Sequence, residues 1–232
     1  VFNKYILNSQ FKYVVLLNND TTVEPDWLKT LVTCAEEEKA QLVSCKMIQF
    51  DKRTLINNLG HTFQNTGDIL PIGNNELESK YTHRFENAGP SGGAALYSVE
   101  MLKNIGVFDD YFFCGYEDAE LGLRGLLAGY KTIVEPKSIV YHKVSAAVDK
   151  VRDYQFTLKI QLDILYTYYT LMPIPVIMVN LPFIIMRNLL IIIIFSCFLR
   201  FKYVKIYFHG RYIFITKDLK RVLHIRKLRS KQ

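Results

Sequence analysis

Residues 11–17 (FKYVVLL) are a short run of β-branched, aromatic and aliphatic side chains, the pattern of a buried strand. The run stops at a polar turn, NNDTT (18–22). Pro25 then takes a favoured early helical position, and Trp27, Leu28, Leu31, Val32 and Ala35 recur at helical spacing, which predicts a helix over 25–40. Residues 42–48 read as the next strand. Strand, turn, helix and strand in that order predict an α/β unit with a parallel sheet. Residues 49–90 are polar, rich in Asn, Gly and Thr, and weakly periodic. They predict a long irregular excursion with a short strand or two, of the kind that is either functional or disordered. GPSGGAALYS (89–98) is a Gly-rich turn into an apolar segment, and Ser98 is placed to cap a short helix over 99–106. Leu121, Leu123, Leu126 and Leu127 give the next helix its apolar face, with Gly129 as its C-terminal stop. Short strands are predicted over 131–135 and 138–141, on either side of Pro136, and a helix from about Asp149 to Leu171.

The pattern then changes. Residues 164–186 carry no charge, and after the single Arg187 residues 188–199 (NLLIIIIFSCFL) are again uncharged. The second run alone spans roughly 18 Å as a helix, too short to cross a bilayer, whereas 176–199 would reach about 36 Å. That longer helix places Arg187 near the bilayer centre, at a cost of at least about 2.5 kcal/mol, and Pro173, Pro175 and Pro182 disfavour one straight helix. Two membrane arrangements fit: a kinked span or hairpin, or interfacial helices with Arg187 snorkelling to the headgroups. A buried helix of a soluble core is the remaining reading.

Charge sharpens the membrane reading. The chain has 232 residues, with 29 Lys and Arg against 22 Asp and Glu, net +7. Residues 200–232 hold 11 basic residues and one acid, Asp218, so the body before them is at −3 and this tail at +10. LRFKYVKIYFHGRYIF (199–214) interleaves aromatic and basic residues as an anionic membrane interface requires, and the positive-inside tendency puts the tail in the cytoplasm. Residues 1–10 do not resemble a signal peptide. The absence of a nucleic-acid motif and the apolar run before the tail argue against nucleic acid as a partner. A hydrophobic content of 50% excludes a disordered chain. Cys34, Cys45, Cys114 and Cys197 form no C-x-x-C pair, which disfavours a disulfide scaffold or Cys-based zinc site and makes a reducing compartment the default.

Four groups of residues could carry chemistry. Asn18-Asn19-Asp20 ends a buried strand, where open α/β sheets bind ligands, and a carboxylate among amide oxygens suits a hard divalent cation. The same residues equally make a plain turn. Glu117-Asp118 opens a helix, with Glu120 and Arg124 behind; acids there answer the helix dipole, or Asp118 takes a proton from a hydroxyl while Glu117 or Arg124 fixes its orientation. His142 follows a strand and is either structural or a partner of Asp20 in a mixed O/N metal site. Gly92-Gly93 allows backbone to approach a ligand closely, or simply turns the chain. His61, His83, His209 and His224 have no obvious partners in the sequence and read as surface or loop residues.

Order and spacing add more than any one group. YVVLLNNDTTVEPDWL, then SGGAALYSVEMLKNIGVFDDYFFCGYEDAELGLRGLLAGYKTIVEP, then a His after VY, resembles the family 2 glycosyltransferases, specifically the rhamnosyltransferase-like group, over about residues 3–142. The resemblance implies an α/β GT-A fold, a mixed sheet flanked by helices, incomplete at the N-terminus because the strands that supply the nucleoside pocket are expected before Val1. It also implies a nucleotide-diphospho-sugar donor, a divalent cation (Mg2+ or Mn2+) and inverting transfer to an acceptor hydroxyl. By position, Asp20 matches the acid expected on the metal, with Asn18 and Asn19 beside it at the substrate. Glu117-Asp118 matches the ED motif, whose Asp is the general base. Gly92 and Gly93 match the loop before the acceptor-side helix, and His142 matches a third metal contact. Arg124 is expected on the substrate side. The Q-x-x-R-W signature of processive synthases has no counterpart, since Trp27 is the sole Trp.

The organisation expected is a partial GT-A domain over 1–148, an apolar membrane-associated segment over 149–199 and a basic cytoplasmic tail over 200–232. The function expected is transfer of a sugar to a glycan or lipid-linked acceptor for cell-surface polysaccharide or glycolipid, at the cytoplasmic face of the membrane. The alternative is a non-catalytic membrane-binding remnant of such an enzyme.

Overall fold

A computed structural model of the chain describes residues 2–112, 115–143 and 154–229. They belong to two compact units, one of Val1–Phe63 and Ile69–Ser145, the other of Gln64–Asp68 and Ala146–Gln232.

The first unit runs α1 (Phe2–Leu7), β1 (Tyr13–Leu17), β2 (Thr21–Val23), α2 (Trp27–Glu38), β3 (Leu42–Gln49), β4 (Ile56–Asn58), β5 (His61–Phe63), β6 (Ile69–Pro71), β7 (Phe85–Glu86), β8 (Ala94–Ser98), α3 (Val99–Ile105), α4 (Glu117–Leu127) and β9 (Thr132–His142). The main sheet has the order β1-β8-β3-β9-β2, with β4 added to β3 and β7 to β9. It is mixed. β1 and β3 point the same way, as the strand–helix–strand pattern predicts, but β8 lies between them antiparallel to both, and only β3 and β9 pair in parallel. The parallel sheet read from the local pattern thus becomes a mixed one, because a distant strand inserts into the first unit.

Pro136 does not split β9 into two strands. It cannot donate to the ladder, so the pairing with β3 skips from Cys45↔Glu135 to Lys46↔Ile139 and resumes. The loop over 49–90 carries four short strands, β4 to β7, rather than one or two. Residues 21–23, the first two of them in the stretch read as a polar turn, pair with the end of β9, Thr21 opposite His142. Ser98 caps α3 as expected, its Oγ accepting from Met101 N at 3.4 Å.

Two apolar layers cover the sheet. On one, Trp27, Leu31 and Ala35 of α2 meet Val43, Cys45 and Met47 of β3 and Leu96 of β8. On the other, Met101 and Leu102 of α3 and Leu121 of α4 meet Leu42, Ala95 and Tyr97. Alternate residues of β3 and β8 thus face opposite layers, which is why both strands are buried along their length.

The second unit is helical: α5 (Tyr154–Leu171), α6 (Ile174–Cys197), α7 (Phe201–Ile213), a π-helical turn (Phe214–Asp218) and α8 (Leu219–Arg229). The predicted start of α5, 149–153, lies outside the described residues. α6 is one continuous helix with Pro182 inside it. Over its most apolar 18 residues the mean hydropathy is 2.3, and the 24-residue helix is long and apolar enough to cross a membrane. Arg187, in its second half, is held by an ion pair with Asp68. The basic stretch after residue 200 folds as helix, because Ile206, Tyr207, Phe214 and Val222 are buried within this unit.

Candidate functional site

β1 pairs with β8 to its last residue, Leu17 opposite Ala94, so the turn after β1 meets the glycines before β8. Asn18 N donates to Gly93 O at 2.9 Å, and Thr21 Oγ1 donates to Asn18 O at 2.6 Å, which folds 18–21 tightly back into β2. Asn18 and Asn19 are exposed and Asp20 is half-buried.

β9 brings His142 to the same place, where its Nε2 lies 3.3 Å from Asp20 Oδ2. Its Nδ1 lies 2.8 Å from the side-chain oxygen of Asn57, on β4. That oxygen only accepts, so Nδ1 carries the hydrogen, and in the neutral ring the Nε2 lone pair faces the carboxylate. Two acceptors facing each other call for a proton or a cation between them. Asp20 Oδ1 is also buried with no hydrogen-bond partner. These atoms fit a divalent cation, with a carboxylate, an imidazole and the Asn57 amide behind the ring holding it in place. Among the described residues no group of three or more His, Cys, Asp or Glu gathers for a metal.

Asp118 is the second residue of α4, and its side chain is only 16% exposed. Oδ2 accepts from Gly92 N at 2.7 Å, Oδ1 accepts from Ala119 N at 2.7 Å, and His61 Nε2 lies 3.4 Å from Oδ2. Burial pushes the carboxyl pKa up, but His61 and the two amides outweigh it and hold the group below the usual aspartate range. Gly92 binds Asp118 and Gly93 binds the turn of Asp20, so two adjacent residues tie both motifs to one end of the sheet. The Tyr97 hydroxyl lies in the layer under α4, fully buried, its pKa pushed well up by burial first and then by the charges of Asp118 and Glu117.

α4 reaches this position through two glycines. A Cβ on Gly122 would lie 2.5 Å from Gly89 Cα, and a Cβ on Gly89 would lie 2.6 Å from Gly122 Cα. The helix therefore packs backbone to backbone on the loop that leads into Pro90-Ser91-Gly92. Before it, Gly115 and Tyr116 both have positive φ, 87° and 69°. A non-Gly residue there costs of order 1–3 kcal/mol, a strain found most often beside functional groups.

Glu117 opens α4 next to Asp118. Arg124 is not brought to the cluster. Its guanidinium pairs with the buried Glu120 at 2.8 Å and donates to the carbonyls of Ile105, Gly106 and Val107. All five N–H groups are engaged inside the protein, with Nε also on Glu120, so the side chain locks α4 to the turn after α3 and has no donor left for a substrate. His61 and Asn57, in contrast, join the site unannounced. Both lie in the weakly periodic loop, and only the pairing of β4 with β3 and the bond from His61 N to Gly89 O (2.8 Å) bring them in. A separate cavity of about 570 Å³ opens at the other end of β1, lined by Lys12, Gln41, Lys103 and Tyr130 among others, away from these carboxylates.

The family model described as "Glycosyltransferase like family 2" matches residues 2–157. The O-antigen biosynthesis protein RfbC of Myxococcus xanthus is 29% identical over 143 residues, covering 58% of this chain and 11% of that protein. The chain thus spans about a tenth of the length of this relative. Among solved structures, the crystal structure of GalNAc-T7 with UDP, GalNAc and Mn2+ is similar at a TM-score of 0.50, with 12% identity, over 71% of this chain and 33% of that one. At that identity the likeness is one of fold, and the fold is the GT-A mixed sheet flanked by helices.

Proposed function

The chain belongs to the glycosyltransferase-like family 2, and from that premise we propose that it moves a sugar from a nucleotide-diphospho-sugar to an acceptor hydroxyl, with inversion, using Asp118 as general base. One observation carries the reading: Gly92 and Gly93 tether Asp118 and the Asn18–Asp20 turn to the same end of the sheet, with His142 beside Asp20.

The chain's own groups divide the work. Asp118 stays ionised because His61 and two backbone amides stabilise its charge, so it is ready to accept the acceptor's proton. The acceptor oxygen forms its bond to the anomeric carbon, the bond from that carbon to the diphosphate breaks, and the proton goes to Asp118. A single displacement inverts the centre and needs no covalent enzyme nucleophile. His61 orients the carboxylate, and Glu117 adds negative charge at the mouth of α4. Asp20 and His142 would hold the divalent cation, Mg2+ or Mn2+, which supplies charge stabilisation to a departing diphosphate. Asn57 fixes the imidazole, and the exposed Asn18, Asn19 and Gly92-Gly93 backbone border the place for the donor.

The sequence resemblance to the rhamnosyltransferase-like group supports rhamnose as the sugar. The O-antigen relative supports a cell-surface polysaccharide or glycolipid as the acceptor. α6 and the +10 charge of residues 200–232 support work at the cytoplasmic face of an anionic membrane.

The test is calorimetry with a panel of nucleotide-diphospho-sugars, with and without Mn2+, followed by transfer assays on the one that binds. Binding that needs the cation, and transfer lost in Asp118→Asn, are the outcomes expected. No donor binding under any condition would favour the non-catalytic remnant.

A further inference from the structure

Within the helical unit, residues of α5, α6, α7 and the π-helical turn enclose a cavity of about 340 Å³, a size in the range of small-molecule sites. Tyr169, Ile184 and Phe214 give it apolar walls, and two guanidinium groups, Arg187 and Arg211, stand at its lining. The charges do not balance. Asp68 pairs with Arg187, whose Nε is buried with no hydrogen-bond partner. Arg211 stacks on the Tyr207 ring, 3.4 Å from its centroid, and donates to Gln161 Oε1 at 2.9 Å. Among the described residues, no carboxylate is within ion-pair distance of Arg211. Burial pushes its pKa down; Tyr207 opposes this and the charge of Arg187 adds to it. Two half-buried cations, only one of them paired with an acid, favour an anion.

The surroundings say what kind of anion. Ile184 and Arg187 belong to α6, whose outer side exposes Leu181, Ile185 and Leu189, each 44–55% open. The apolar wall of the cavity is therefore continuous with the most apolar helix of the chain. We propose that this cavity takes the headgroup of a single phosphate-bearing lipid, with the phosphate on Arg187 and Arg211 and the first methylenes against Ile184 and Phe214. Guanidinium groups suit phosphate because their N–H groups match its oxygens pairwise, and α6 gives the hydrocarbon a surface to follow. The inference goes beyond sugar transfer and does not depend on it.

The full chain in dodecylmaltoside micelles provides the test, without donor or metal, so that its outcome is separate from that of the sugar-transfer reading. Three probes are compared by native mass spectrometry and thermal melting: dioctanoyl phosphatidic acid, dioctanoylglycerol with the same chains and no phosphate, and inorganic phosphate. Phosphatidic acid is expected to bind at least about tenfold more tightly than either of the others. Arg211→Gln is expected to lose at least about tenfold, with Arg211→Lys between the two, while Lys205→Gln on the exposed side of α7 leaves binding unchanged. If Arg211→Gln does not fold, Ile215→Trp at the exposed rim blocks the cavity with both arginines in place and is expected to lose binding too. Equal binding of dioctanoylglycerol would make the cavity a merely apolar groove. Equal binding of inorganic phosphate would make it a free-phosphate site, and binding indifferent to both variants would place the lipid elsewhere; each of these overturns the proposal.

Discussion

Gly92 donates its backbone N–H to Asp118 Oδ2 at 2.7 Å, across 26 positions of sequence. The bond leaves the carboxylate charged and aimed at the end of the sheet. In the intact protein, Asp118→Asn keeps the shape and an acceptor oxygen but cannot take a proton. Turnover is expected to fall about 10²–10⁴-fold with donor affinity nearly unchanged. Steady-state kinetics beside calorimetry separates the two, and joint loss of binding and turnover would assign Asp118 to structure instead.

The pairing of His61 with Asp118 sets a pH expectation. A carboxylate whose folded pKa is depressed contributes stability above its unfolded value of about 3.9 and loses it as pH falls through the folded value. Removing His61 takes away one of the influences that lower it and leaves burial pushing up. The acid limb of kcat/KM in His61→Gln should therefore move to higher pH, and the acid limb of the melting curve with it. An unmoved limb would mean that His61 has no hold on the carboxylate.

Asn57 offers a cleaner probe of the cation than the ligands do. It touches His142 and not the donor's place, so Asn57→Ala should weaken Mn2+ dependence about 10–100-fold while leaving turnover at saturating Mn2+ largely intact. Asp20→Ala should weaken metal-dependent donor binding outright. Titration of donor binding against Mn2+ reads both.

Arg124 should behave as a strut. Arg124→Leu leaves Glu120 buried and charged with three carbonyls unserved, and a loss of about 3–5 kcal/mol is expected in urea unfolding. Activity per folded molecule should remain, since no N–H group reaches the site.

The thiols give a check that needs no substrate. Trp27 donates to Cys45 Sγ at 3.0 Å inside the core, and burial pushes the thiols of Cys34 and Cys45 up to about 12. Neither should react with maleimide at pH 7 in the native protein, whereas both should in urea. Peptide mapping by mass spectrometry reads each cysteine separately.

What the chain disclosed in advance follows from how local each feature is. β1, α2, β3 and α3 announce themselves, since each is a periodic run with its own start and stop signals within one stretch of chain. Asp20, Asp118, Gly92 and Gly93 are singled out by their order in the chain, and the structure brings them to one end of the sheet. His61, Asn57 and the strand β2 were not, because their structure comes from distant partners, His142 lying 85 positions from Asn57 and pairing with Thr21 of β2, and not from any period of their own. Arg124 misled for a related reason. Standing on the same helix as Asp118, it shares its neighbourhood in sequence, yet it faces Glu120 one turn back and the carbonyls after α3.

The contact of Gly89 with Gly122 leaves no slack between loop and helix. Any methyl group added at one of them, whatever its chemistry, works as a wedge whose thin end lies under α4 and whose effect is felt at Asp118, one turn along. Saturation mutagenesis at these two positions should thus return little except glycine, and an alanine at either would report on the site from a distance, through displacement alone.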